Sequence, residues 1–133
     1  IGVKVTASDF YLLERLKKAY PKHLIWAGFD EMMLPAAVLG VDGAIGSTFN
    51  VNGIRARQIF EKAQAGQIQE ALEIQHVTND LIEGILSNGL YLTIKELLKL
   101  QGVDAGYCRE PMTKELTEAQ VAVAKELKAK YLS

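Results

Sequence analysis

A chain of 133 residues is about one domain's worth of sequence, and 49% apolar against 23% charged residues is the balance of a folded domain, which excludes a disordered one. Fifteen Lys and Arg against sixteen Asp and Glu give a net charge of -1, so there is no concentrated positive field for nucleic acid or an anionic membrane. The single cysteine, Cys108, allows no internal disulfide and is compatible with a reducing cytoplasm, and two separated histidines supply no zinc-ligand spacing.

The chain opens at Ile1 directly into Ile-Gly-Val-Lys-Val, a β-branched run that predicts a buried strand over residues 1–5. Opening inside such a run reads as a piece cut from something longer. Ser8 or Asp9 offers an N-cap to a helix over residues 9–19, which Pro21 stops. Residues 24–28 form a second apolar run. Asp30 and Glu31 then open a helix over 31–39, where acidic groups suit the positive end of the dipole, and Gly40 caps it. The longest mostly apolar stretch, 32–41, contains Pro35 and is too short to span a bilayer. Residues 43–47 predict a third strand, and 53–65 a third helix ending at Gly66.

The first 66 residues therefore alternate strand and helix three times. The strands lack apolar/polar alternation, which predicts burial on both faces and parallel pairing through crossover helices. After Gly66 the pattern becomes helical: 67–87 with Ile68, Leu72, Ile74, Val77, Leu81 and Ile85 inward, then 91–100 closed by Gly102, then 117–131 capped by Thr117. Three parallel strands cannot close a barrel, and an eight-stranded β/α barrel takes about 250 residues. The expected fold is α/β: the last three βα units of a TIM (β/α)8 barrel over 1–66, with 67–133 a C-terminal helical extension of the same domain.

In such folds the working groups stand at the C-terminal ends of the strands. Those ends carry Lys4 with Thr6, then Gly28, Asp30 and Glu31, then Gly46, Ser47 and Thr48. An apolar barrel interior disfavours an ammonium ion, and a neutral amine attacks carbonyls to form a Schiff base. The ordinary alternative for Lys4 is an edge-strand lysine reaching to water. Asp30 and Glu31 have the acceptors to bind sugar hydroxyls, and the alternative is plain helix capping. Gly40, Gly43 and Gly46 recur every third residue but match neither a dinucleotide fingerprint nor a P-loop. Ser47 lacks the flanks of a nucleophile elbow.

Three segments taken together resemble the N-acetylneuraminate lyase (sialic acid aldolase) family: Gly2-Val3-Lys4-Val5-Thr6, then Ala27-Gly28-Phe29-Asp30-Glu31, then Asp42-Gly43-Ala44-Ile45-Gly46-Ser47-Thr48-Phe49-Asn50. They stand in family order and spacing, and the resemblance extends through Gly-Leu-Tyr-Leu-Thr-Ile-Lys-Glu to the C-terminal helices. It corresponds to strands six to eight of the family's barrel and the C-terminal region beyond them. The resemblance implies that Lys4 condenses with pyruvate or with the ketone of open-chain sialic acid, and that Thr6 contacts the bound substrate. Gly28, Asp30 and Glu31 would bind the hydroxylated tail, and Ser47 another polar group. It also implies cleavage to N-acetylmannosamine and pyruvate without a cofactor or metal, in a cytoplasmic homotetramer. Dihydrodipicolinate synthase and other pyruvate-dependent aldolases share the lysine and are the competing reading, with a non-catalytic half-barrel the other. The family's carboxylate-gripping Gly-Ser-Thr-Gly-Glu loop and its catalytic tyrosine are not in these 133 residues. The resemblance therefore implies that this chain needs the N-terminal half of the enzyme as a partner and has little or no activity alone.

Overall fold

The computed structural model describes residues 1–132, so the final position of the expected 67–133 extension, Ser133, lies outside the described residues. Three strands, β1 (Gly2–Val5), β2 (Leu24–Ala27) and β3 (Gly43–Ala44), form one parallel sheet in the order β1-β2-β3. The register pairs Lys4 with Trp26 and Trp26 with Gly43. Helices α1 (Phe10–Ala19) and α2 (Met33–Val38) make the two crossovers, with a single 3-10 turn at Asp30–Met32 ahead of α2. The remaining helices are α3 (Phe49–Gln64), α4 (Ile68–Asn88), α5 (Leu90–Leu100) and α6 (Glu118–Tyr131).

Local chemistry sets most boundaries where the sequence places them. Asp9 accepts a hydrogen bond from the Leu12 amide at 2.9 Å and starts α1. Pro35 falls in the first turn of α2, where its missing N–H has no partner to lose. Gly40 follows that helix at φ +80°, and Gly66 follows α3 at φ +76°. Each lets the two amides after the turn bond back to the last carbonyls, a conformation a side chain would oppose. Thr117 and Gln120 cap α6 reciprocally, side chain to amide in both directions.

Two boundaries differ from expectation for one reason. The third strand ends at Ala44, not residue 47, and α3 begins at Phe49, not Gly53. The Thr48 amide bonds to Asp30 Oδ2 instead of continuing the ladder, and the Thr48 hydroxyl is spent on the same oxygen. The chain leaves the sheet there and turns at once into a helix. Asn52, with φ -127° and ψ 21°, kinks that helix one turn in. Its side chain bonds to Thr78 and takes a hydrogen bond from Arg55, which also reaches the Tyr131 carbonyl of α6.

The expectation that both sheet faces are buried also needs correction. Ile25 and Ala27 pack under α1 and α2 with Leu13, Ala36 and Val41. On the other face Leu24 is 49% and Trp26 38% exposed. A parallel sheet buries both faces only when elements cover both, and the described helices all lie on one side or beyond the sheet.

The inward positions of α4 differ as well. Leu81 and Ile85 are buried, as expected, and Leu72 and Ile74 are half-buried against the α2–α3 cluster. Ile68 and Val77, however, lie exposed, while Ala71, Gln75, Thr78 and Asn88 are buried. This helix packs α2 and α3 at one end and α5 and α6 at the other, with Leu81, Ile85, Ile94, Leu97 and Ala124 as the second core. The buried polar side chains find partners there: Gln75 and Asn88 bond to backbone groups, and Thr78 accepts from the Asn52 side-chain amide. No helix among the described residues is long and apolar enough to cross a membrane.

One carboxylate fastens the sheet to α1. Asp42 Oδ2 accepts from the Ile25 amide at 2.8 Å and from Lys17 Nζ at 2.9 Å. The Ile25 N–H first, and the Lys17 ammonium second, hold the Asp42 carboxyl below the usual carboxylate range. A carboxyl lowered in the folded state stabilises the fold above its unfolded titration point, about pH 4. That contribution is lost as pH falls through the lowered folded value. Asp42→Ala is expected to cost about 1 kcal/mol at neutral pH, discounted for solvent at the ion pair. Urea midpoints measured against pH should show the gap from the parent protein narrowing as pH falls below about 4, the unfolded carboxyl's titration point. A gap independent of pH would contradict this assignment.

Candidate active site at the strand ends

Parallel pairing places the C-terminal ends of all three strands side by side, and the expected site residues gather there. Lys4 projects from β1 onto the open sheet face. Its neighbours on a groove of about 190 Å³ are Gly2, Val3, Leu24, Trp26 and Ile45. The residues alone leave open an apolar barrel interior or an edge-strand lysine reaching to water; here it is exposed, because no described element covers that face. Its surroundings are apolar nonetheless.

Thr6 and Gly28 stand beside it. The Gly28 amide donates to the Val5 carbonyl at 2.9 Å and forms the last rung between β1 and β2. A methyl group on Gly28 would stand 2.8 Å from Lys4 Cε and 2.9 Å from Thr6 Cβ, and would overlap the Thr6 hydroxyl. Glycine is thus what lets lysine, threonine and the β2 terminus converge.

Asp30 is buried, and its Oδ2 receives both the Thr48 amide at 2.8 Å and the Thr48 hydroxyl at 2.5 Å. A Cβ on Gly46 would fall onto the same carboxyl group. The capping alternative for Asp30 therefore fails in its simple form: its side chain bonds across to the third strand end rather than to its own turn. The sequence reading names Thr48 at this strand end but gives it no role, and the structure makes it the partner of Asp30. Glu31 is half-buried next to Asp30, and Ser47 is half-buried between Gly46 and Thr48. The Ser47 carbonyl accepts from the Asn50 side chain at 2.8 Å, which fixes the turn into α3.

Two groups of strand-end residues result. Lys4, Thr6 and Gly28 form one, and Asp30, Glu31, Gly46, Ser47 and Thr48 the other. The first offers a primary amine on an apolar floor, and the second offers carboxylates and hydroxyls. Among the described residues no cluster of His, Cys, Asp and Glu suits a metal ion. Cys108 is buried in the segment before α6, and His76 lies exposed on α4, both away from these strand ends.

A parallel sheet with crossover helices, an amine on its uncovered face and polar groups at the carboxyl ends of its strands defines a β/α protein of the kind that binds ligands at those ends. The chain belongs to the dihydrodipicolinate synthetase family, whose sequence profile matches residues 1–130. It is 86% identical over 133 residues to the N-acetylneuraminate lyase of Pasteurella multocida, covering all of this chain and 45% of that protein. The N-acetylneuraminate lyase of Fusobacterium nucleatum complexed with pyruvate superimposes with a TM-score of 0.95 at 71% identity, over 100% of this chain and 45% of the other. A catalytic lysine mutant of the Ruminococcus gnavus sialic acid aldolase gives 0.93 at 29% identity, over 99% and 44%. The chain thus spans a little under half the length of the relatives it matches, and its three strands and six helices match a partial barrel.

Proposed function

We propose that this chain is the Schiff-base segment of an N-acetylneuraminate lyase: the last three βα units of a (β/α)8 barrel over residues 1–66, with 67–133 a helical extension of the same domain. The observation that carries the reading is Lys4 on the open sheet face, beside Thr6 and Gly28 and next to the Asp30–Glu31 turn. In a closed barrel that face is the interior, and closure would place Lys4 in the apolar setting where a neutral amine is favoured.

The Lys4 amine adds to the ketone carbon of open-chain sialic acid, and water leaves to give an iminium. The carbon-carbon bond one position beyond then breaks. Its electron pair moves into the iminium to form an enamine, and the departing carbon keeps its oxygen as the aldehyde of N-acetylmannosamine. Protonation of the enamine and hydrolysis release pyruvate and restore the amine. Thr6 and Gly28 border the reacting end, while Asp30, Glu31 and Ser47 hold the hydroxylated tail. Buried acceptors that need hydroxyl partners discriminate strongly against substrates lacking them. The group that takes the hydroxyl proton comes from the rest of the barrel. No cofactor is required by this chemistry, and a cytoplasmic homotetramer is the setting the resemblance implies.

The family profile's own description favours a second reading, a pyruvate-dependent aldolase with a different partner aldehyde. Substrate separates the two: cleavage of N-acetylneuraminate supports the first and its refusal the second. The direct test is borohydride trapping with pyruvate, then peptide mapping. The chain completed by the N-terminal part of the Pasteurella multocida relative is expected to take the adduct on the Lys4 peptide. The 133-residue chain alone is expected to show no lyase turnover. Absence of adduct in the completed protein would sink the reading in favour of a non-catalytic half-barrel.

A further inference from the structure

The Asp30–Glu31 turn is held from outside the sheet. Gln75, buried in the middle of α4, accepts from the Leu34 amide at 3.0 Å through Oε1. That amide is one of the first-turn donors of α2 with no partner inside its helix. Gln75 Nε2 donates to the Asp30 carbonyl at 3.3 Å and to Asn79 Oδ1 at 2.7 Å. Asn79, one turn on, donates through Nδ2 to the Glu31 carbonyl at 3.2 Å. Two amide side chains on one face of α4 therefore grip the consecutive carbonyls of Asp30, whose carboxyl bonds to Thr48 at the third strand end, and of its neighbour Glu31. An apolar residue at position 75 would leave the Leu34 N–H without a partner and would strip the Asp30 carbonyl of its second donor beside the Met33 amide, and the bonds from α4 to Leu34, Asp30 and Glu31 span 41 to 48 residues.

We infer that Gln75 and Asn79 are positioning residues for the substrate's hydroxylated tail: α4 fixes the Asp30–Glu31 backbone and through it the aim of both carboxylates. The inference rests on the lyase reading above. It separates the two halves of the site, because neither amide touches Lys4, Thr6 or Gly28. Loss of the grip should weaken recognition of the tail and leave the amine as it is.

The test places Gln75→Leu, Gln75→Glu and Asn79→Ala in the chain completed by the N-terminal part of the Pasteurella multocida relative. Gln75→Glu keeps the acceptor for Leu34 and removes the donor to Asp30. Asn79→Ala changes a half-buried residue and leaves the α4 core untouched, so it stands should Gln75→Leu not fold. Each folded variant is expected to raise KM for N-acetylneuraminate about 10-fold, with pyruvate trapping at Lys4 within about 2-fold of the parent. An unchanged KM in Gln75→Glu and Asn79→Ala would overturn the inference. So would a parallel fall of trapping and cleavage, the mark of a general structural role. A parent that traps no pyruvate overturns the lyase reading and this inference with it, whereas a parent that traps and cleaves beside variants of parental KM defeats the inference alone.

Discussion

Lys4→Ala is expected to abolish the pyruvate adduct outright and to lower N-acetylneuraminate cleavage by the completed barrel roughly 10³-fold or more. The reason is chemical rather than structural. Removing the primary amine removes the electron sink, and no other described lysine lines this groove. Lys4→Arg keeps the charge and length but not the nucleophile, since a guanidinium does not deprotonate in proteins. It should be as inactive as the alanine variant. Because Lys4 is exposed in this chain, neither change should move the urea midpoint of the isolated chain by more than about 0.5 kcal/mol equivalent. Residual adduct in Lys4→Arg, mapped to another peptide, would show that the nucleophile lies elsewhere. A large loss of stability would mean that the lysine stem holds the sheet together.

Gly46→Ala should have the second largest effect, through sterics. The added methyl would occupy the space of the Asp30 carboxyl, which is fixed by the Thr48 amide and hydroxyl. Asp30 is buried, so it cannot swing into water without giving up both bonds. The expected cost is about 1–3 kcal/mol of stability from overpacking. Affinity for the hydroxylated substrate should fall about 100-fold, because the carboxylate and the turn into α3 move together. Pyruvate trapping at Lys4 should persist, since Gly46 borders the other half of the site. Gly43→Ala is the control. Its methyl would meet Trp26 Cδ1 at 3.5 Å, an ordinary contact, and stability should change by no more than about 0.5 kcal/mol. Equal behaviour of the two alanine variants would disprove the special role of Gly46.

The site divides as the fold divides it. Lys4 stands on the floor of the sheet, and Asp30 in a turn pinned by the next strand end and by α4.

The order of elements, and the strand ends that carry the candidate site residues, are legible in the residues alone. Short apolar runs, acidic helix starts and glycines after the last helical turns are local signals, and they mark β1, β2, all six helices and the strand ends bearing Lys4, Gly28, Asp30 and Ser47. Each works within a few residues of itself, through capping, dipole or backbone freedom, so each is readable without knowing the fold. Features that depend on a distant partner emerge only in the folded chain. Thr48 gives its amide and hydroxyl to Asp30, eighteen residues back, and this shortens β3 and starts α3 early. Gln75 and Asn79 look like poor core residues by pattern, yet their side chains serve backbone groups forty-one to forty-eight residues away. The open face of the sheet, and with it the exposure of Lys4, depends on what lies over the strands. Hydrophobic period reports a face that prefers burial; whether another element covers that face is a property of the assembled fold.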